Sequence, residues 1–233
     1  MSKKNNPVSI EQRIRNLNRE NLSELEAASR KWLDSGVSGK IPKRQQKEIA
    51  PLSYSQERLW LAQQMVLQSP IYNLSFVMHF QELNMPVFKR AVYELTRRHE
   101  ALRTTIQLRH GKPMQIITPS VHPRITIDDL RHFLPEKRYA ELNNQILKES
   151  NAPIDLTTGP LFKIHIIRLQ DNEYCVHCVI HHIISDGWTL ELLSSEIRAL
   201  YEAYEEKRSV DLPPVPVQYG DFAEWQRNNL ADG

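Results

Sequence analysis

Apolar residues recur at near-helical spacing near the start of the chain and predict one amphipathic helix over residues 8–33. Its apolar stripe consists of Ile10, Ile14, Leu17, Leu22, Leu25 and Trp32. A Gly- and Ser-rich break at residues 34–39 ends this pattern, and the polar stretch that follows is typical of a linker. We therefore predict a helical leader and linker over residues 1–50, followed by a compact domain over residues 51–233.

The rest of the chain mixes helical and strand-like patterns. Helical periods predict helices over 53–64 (with Ser53 or Ser55 as the cap), 85–102, 135–150, 188–207 and 219–230. Alternating or continuous apolar runs predict a strand over 74–80, a hairpin over 103–118, and a second hairpin built from 161–169 and 173–183. The predicted fold class is α/β, a mixed sheet flanked by helices.

Composition places the chain among globular proteins, with 40% hydrophobic and 25% charged residues in a chain of 233. No apolar run is long enough to span a membrane, and the N-terminus lacks the apolar segment of a secretory signal. Two cysteines do not make a disulfide framework, so we expect a cytoplasmic location. The net charge of +2 does not indicate a nucleic-acid partner.

The charge is nevertheless unevenly distributed. Residues 1–50 carry 11 Lys and Arg against 6 Asp and Glu, whereas the remainder carries 19 against 22. A basic leader in front of a slightly acidic domain fits a docking segment, and a solvated helix with surplus lysine is the alternative interpretation.

Both cysteines lie in the stretch CVHCVIHHIISDGWTL, residues 175–190, which contains the CxxC and HH patterns of metal and redox sites. Side chains alternate between the two faces of a strand, so Cys175 and Cys178 are predicted to point to opposite faces. A redox CxxC pair needs a helix start and a zinc site needs a tight turn, whereas this segment is β-branched. We therefore predict buried thiols and no metal ligand set.

The same alternation separates the adjacent histidines. His177 and His181 share one face, and His182 lies on the other. A histidine between a strand end and a helix start suits acid–base chemistry, because the helix amides favour developing negative charge. A structural role is the alternative for each of these histidines.

Four stretches together resemble the condensation domains of nonribosomal peptide synthetases, which are related to chloramphenicol acetyltransferase. They are LSYSQERLW (52–60), RRHEALRTTI (97–106), HHIISDGWT (181–189) with its HHxxxDG signature, and YGDFAEW (219–225). Their order along the chain matches that of the family. The resemblance covers residues 51 to 230 and implies the N-terminal lobe of a two-lobed domain, with the C-terminal lobe absent.

The strand pattern and the resemblance together predict the roles of the site residues. Strand alternation predicts a structural role for His181. The resemblance makes His182 the catalytic histidine, as a general base or as a positioning group. It implies that Asp186 points away from the active site and forms a buried pair with an arginine, Arg103 or, as the second choice, Arg98. Gly187 is predicted to permit a backbone conformation or close approach that a side chain would block, and a simple turn glycine is the alternative. Trp188 is predicted to pack in the core.

The resemblance also implies the reaction, in which a carrier-bound acyl or peptidyl thioester is joined to the amine of a carrier-bound aminoacyl thioester. No cofactor motif is present, and the 4′-phosphopantetheine arm would come from carrier proteins. The implied partners are donor and acceptor carriers, the missing lobe, a downstream adenylation domain and, through residues 1–50, an upstream part of the synthetase. A docking module without chemistry and a stand-alone acyltransferase that uses acyl-CoA remain the alternatives.

Overall fold

The computed structural model describes residues 41–66, 68–120 and 123–229. The leader helix predicted over residues 8–33 lies outside the described residues. The compact unit that contains the described residues begins at Ile41, upstream of the boundary predicted at Pro51. The chain enters this unit early because Arg44 is buried and residues 49–51 already pair as a strand.

Helices and strands alternate along the described chain, which confirms the α/β class. The helices are α1 (Tyr54–Met65), α2 (Met85–Arg98), α3 (Pro135–Ser150), α4 (Gly187–Glu205) and α5 (Tyr219–Asn229). The strands are β1 (Ile49–Pro51), β2 (Asn73–Gln81), β3 (Thr104–Arg109), β4 (Lys112–Ile117), β5 (Arg124–Asp129), β6 (Phe162–Arg168) and β7 (Glu173–His181). No described helix combines the length and apolar character needed to cross a membrane.

Two sheets organise the described residues. The larger has the strand order β2-β7-β6-β5 and is antiparallel except for the parallel pair β5 and β6. The smaller has the order β1-β4-β3 and is antiparallel throughout. Strand β7 is buried along seven consecutive residues because it lies between two strands, and its last residue, His181, leads into the candidate site.

The main core packs α2 and α4 against the larger sheet. Phe88, Val92 and Leu95 of α2 meet Ile197 and Leu200 of α4, and all are fully buried. These positions recur at helical spacing, which is why both helices are predictable from the sequence.

The predicted elements are largely confirmed, with differences at their ends. The helix predicted over 85–102 ends at Arg98 and continues as a 3₁₀ turn over Glu100–Arg103. The strand predicted over 173–183 ends at His181, where the chain enters a 3₁₀ turn over His182–Ile184. The sequence pattern does not predict β1 or β5, since β1 has three residues and β5 is mostly exposed.

The two cysteines are free, buried thiols on β7. Cys178 packs in the main core, whereas Cys175 belongs to a smaller cluster with Leu130, Leu142 and Ile167. Burial raises the pKa of both thiols, that of Cys175 to about 11. Neither free thiol is therefore ionised near neutral pH, whereas a reactive cysteine needs a lowered pKa.

Candidate active site

The candidate site lies where β7 gives way to α4 through the 3₁₀ turn His182–Ile184. Local hydrogen bonds build this turn. The backbone N–H of Ile183 donates to His181 Nδ1 at 3.0 Å, and the Ser185 hydroxyl donates to the His181 carbonyl at 3.0 Å. The strand therefore stops at His181, because its side chain takes a backbone donor that would otherwise continue the ladder.

His182 is partly buried, and its ring is fixed by one short contact. Its Nδ1 lies 2.5 Å from the carbonyl oxygen of Ser185. A carbonyl oxygen only accepts hydrogen bonds, so Nδ1 carries the proton in the neutral ring. Nε2 then holds the lone pair, and none of the described residues bonds to it. The backbone N–H of His182 donates to the carbonyl of Tyr72 at 2.8 Å, which anchors the turn to the segment before β2.

His181 is in the opposite situation. It is 1% exposed, its Nδ1 accepts from Ile183 N, and its Nε2 is buried with no hydrogen-bond partner among the described residues. Burial, with a smaller contribution from the neighbouring His182, lowers the pKa of His181 to about 4. The ring is therefore neutral at pH 7 and points into the protein interior.

Among the described residues, Asp186 does not form the predicted pair with an arginine. The Asp186 side chain is exposed and caps α4 by accepting from Thr189 N at 2.8 Å and from the Thr189 hydroxyl at 2.6 Å. Arg103 instead donates to the Thr118 carbonyl at 2.5 Å. The second choice, Arg98, pairs with Glu196 at 3.2 Å. Asp186 therefore serves as the N-cap of its own helix, and no ion pair joins it to another element of the described chain.

The predictions for Gly187 and Trp188 are also wrong for the described chain. The φ angle of Gly187 lies outside the left-handed region, and a Cβ added there would meet no heavy atom within 4 Å among the described residues. Trp188 is 77% exposed and does not pack in the core. Both residues lie in the first turn of α4, which projects outward.

Sequence reasoning missed Gln56, which contacts the turn that carries His182. Gln56 is buried in α1, and its side-chain Nε2 donates to the carbonyl of Ile183 at 3.0 Å. Its Oε1 accepts from the backbone N–H of Ser53 at 3.0 Å, which completes a capping box. The sequence signal was the Ser-x-x-Gln spacing at the helix start, which explains the cap but not the contact with the turn.

The fourth predicted motif also reaches this region. The Tyr219 hydroxyl of α5 lies 2.9 Å from the Ser53 hydroxyl, which is the cap of α1. Asp221 forms a buried ion pair with Arg44 at 2.8 Å, and Arg44 also meets Glu100 at 2.5 Å. The stretches 52–60, 97–106 and 219–225 are thus linked by one hydrogen-bonded framework, through residues 53–56, Glu100 and the segment 219–221. Gln56 extends this framework to the turn of the stretch HHIISDGWT.

Comparison with known proteins identifies this arrangement. The model of the condensation domain family matches residues 46–232. Phosphinothricin tripeptide synthetase PhsC of Streptomyces viridochromogenes is 35% identical over 95% of this chain, which covers 20% of that protein. Chondramide synthase cmdD of Chondromyces crocatus is 36% identical over 78% of this chain, which covers 5% of that protein. The chain therefore spans a small part of these relatives.

Solved structures show the same fold. The starter condensation domain of rhizomide synthetase RzmA superposes with a TM-score of 0.65 at 24% identity, over 70% of this chain and 41% of that one. The complex of the X-domain and OxyB from teicoplanin biosynthesis contains a chain with a TM-score of 0.72 at 22% identity, over 83% of this chain and 41% of that one. The fold, the matched residues and the relatives agree, and the chain belongs to the condensation domain family of nonribosomal peptide synthetases.

Proposed function

We propose that this chain supplies the N-terminal half of a peptide-bond-forming condensation site. The acyl or peptidyl group of a donor thioester on one carrier protein is transferred to the amine of an aminoacyl thioester on a second carrier, and the donor carrier's thiol is released. The observation that carries the proposal is the state of His182, whose Nδ1 proton is committed to Ser185 O while Nε2 keeps its lone pair. The match to peptide synthetases supports the same reaction class.

The chemistry requires an acceptor for one proton. The amine nitrogen attacks the thioester carbonyl, a C–N bond forms, and the tetrahedral intermediate then expels the thiolate as the C–S bond breaks. The amine loses a proton along this path, and Nε2 of His182 takes it and returns it to the leaving thiolate. The same lone pair, acting only as a hydrogen-bond acceptor, would orient the amine for attack. Both roles use the same tautomer.

The start of α4 is a poor site for the oxyanion, contrary to the expectation from the sequence. The Asp186 carboxylate already accepts from the first turn of α4 through Thr189. A second negative charge beside it would be repelled. In this proposal Nε2 of His182 accepts and returns the proton, and α4 holds the turn in place without stabilising the oxyanion.

The proposed partners follow from the thioester substrates. Donor and acceptor carrier proteins present their substrates on 4′-phosphopantetheine arms, so this chain itself needs no cofactor. A second lobe completes the site, and a downstream adenylation domain loads the acceptor. Residues 1–50, with their surplus of basic side chains, are proposed to dock an upstream part of the synthetase.

The test measures transfer between loaded donor and acceptor carriers by intact mass, with this chain and with a version extended by the second lobe. His182→Ala in the extended protein is expected to lower the transfer rate by about 100-fold or more, as loss of a general base does. His110→Ala, in the exposed turn between β3 and β4, is the matched control and should transfer normally. Transfer by His182→Ala at near the wild-type rate would overturn the proposal.

The same assay separates the alternatives. Transfer from acyl-CoA without any carrier would indicate a stand-alone acyltransferase. Binding of carriers without transfer by any version would indicate a docking module.

A further inference from the structure

Gln56 joins α1 to the turn that presents His182. Its amide lies in the buried space between α1, β4 and this turn and is 2% exposed. Nε2 donates to Ile183 O at 3.0 Å and to Gln115 Oε1 at 3.3 Å, while Oε1 accepts from Ser53 N at 3.0 Å. Both protons and one acceptor site of the amide are therefore in use, so the side chain has one orientation.

A capping box can be completed by glutamine or by glutamate, and the contact with Ile183 O favours glutamine. Glutamate at this position would keep the bond from Ser53 N. It would also place a carboxylate against two acceptors, Ile183 O and Gln115 Oε1, where only a donor fits. The donor half of the amide is thus not needed by the helix cap, and it serves the turn.

The side chains of Ile183 and Ile184 pack in the main core, and two hydrogen bonds from other elements fix the backbone of the turn. His182 N is bound to Tyr72 O on one side, and Ile183 O is bound to Gln56 on the other. The position of Ser185 O, which fixes the His182 tautomer, follows from the path of this turn. A shift of the Ile183 peptide would therefore change the geometry of the His182–Ser185 contact.

We propose that Gln56 is a positioning residue for His182: its Nε2, by holding Ile183 O, keeps the turn in the form in which Ser185 O fixes the Nδ1 proton. This rests on the proposed function only for its catalytic consequence. The structural statement concerns the His182 ring and can be tested without any reaction.

The direct test is nitrogen NMR of labelled histidine side chains in this chain. In the wild type His182 should show one neutral tautomer, with a protonated Nδ1 and an unprotonated Nε2. Gln56→Met and Gln56→Glu are both expected to mix the two tautomers, which moves the Nδ1 and Nε2 resonances toward each other. Two variants are used so that one that fails to fold does not prevent the test.

The matched control is Ser53→Ala, which removes the other half of the capping box and leaves the donor to Ile183 O intact. It should lower the melting temperature while the His182 resonances stay at their wild-type positions. Unchanged His182 resonances in both Gln56 variants would overturn the inference, as would equal changes in Ser53→Ala.

Transfer assays in the extended protein separate this inference from the proposed function. Gln56→Glu is expected to lower kcat about 10-fold with the KM for loaded carriers unchanged, since substrate contacts are not altered. Mixed tautomers with wild-type kcat would leave the positioning inference standing and would count against His182 as the catalytic group.

Discussion

His181 and His182 are adjacent in sequence and occupy opposite tautomers. The Nδ1 of His181 accepts a hydrogen bond from Ile183 N, whereas the Nδ1 of His182 donates one to Ser185 O. The first ring is buried and shapes the turn, and the second offers an unprotonated Nε2. One dipeptide thus combines a ring that supports the turn with a ring whose Nε2 we propose to accept the proton.

Buried neutral histidines make the domain sensitive to mild acid. Burial lowers the pKa of both His177 and His181 to about 4, below the unfolded value of 6.5. The unfolded chain therefore binds these protons first, and stability that is fully present above pH 6.5 is lost as the pH falls toward 4. Each group contributes up to about 1.4 kcal/mol per pH unit in this range. We expect urea midpoints to fall steadily between pH 6.5 and 4.5.

One variant tests whether His177 contributes to this pH dependence of stability. His177 lies in the sheet and bonds to the Ser150 hydroxyl at 3.1 Å, away from the His182 turn. His177→Gln should reduce the pH slope by about one proton's share, while His110→Gln in the exposed turn should leave it unchanged. An unaltered slope in His177→Gln would contradict the assignment.

Asp186→Ala should lower stability only modestly. The side chain caps α4 and is exposed, so its removal costs about 0.5–2 kcal/mol, and the protein should stay soluble and folded. Asp186→Ser should recover most of the loss because serine also caps helices. The measurement is urea unfolding monitored by circular dichroism. Loss of soluble protein would instead indicate the buried pair expected from the sequence.

Arg44→Met should be far more damaging. The Arg44 side chain is 0% exposed and pairs with Asp221 and Glu100, so its loss leaves uncompensated buried charge that costs about 3–5 kcal/mol. Gly220 belongs to the same packing, since a Cβ there would lie 2.9 Å from Arg44 Nη1. Arg131→Met, in an exposed ion pair with Asp129, is the control and should change thermal unfolding much less. Equal losses for both variants would contradict the prediction.

Trp188→Ser should leave the stability of this chain within about 0.5 kcal/mol of wild type, because the side chain is 77% exposed. Trp225, which is 7% exposed, serves as the comparison, and Trp225→Ala should cost about 3–5 kcal/mol. Both values come from urea unfolding. A large loss in Trp188→Ser would show that this ring packs against the protein.

Much of this arrangement could be predicted from local pattern. Helix α3 runs over the predicted residues 135–150, and the His110-Gly111 hairpin forms as expected, because helical period and turn chemistry are local properties. The partner of Arg103 could not be predicted in this way, because Arg103 reaches Thr118 across the end of a hairpin, a choice set by tertiary geometry. The cap between Asp186 and Thr189 is local, and the sequence analysis missed it by expecting a distant arginine instead.

Strand β5 also could not be predicted from its own residues. Its residues, Arg-Ile-Thr-Ile-Asp-Asp, are mostly exposed, and the strand exists because β6 offers a parallel edge. Gln56 is comparable, since its partner Ile183 is 127 residues away. Neither the pairing of β5 with β6 nor the bond from Gln56 to Ile183 produces a hydrophobic pattern in the sequence from which it could be predicted.

The burial of Arg44 has a practical consequence for exchanging such domains between synthetases. A junction placed at Pro51, where the sequence pattern changes, would discard this arginine and leave Asp221 and Glu100 facing a foreign residue. A junction upstream of Ile41 transfers the cation together with the carboxylates that it neutralises. A chimera should therefore keep Arg44, Asp221 and Glu100 together, as well as the HHxxxDG stretch.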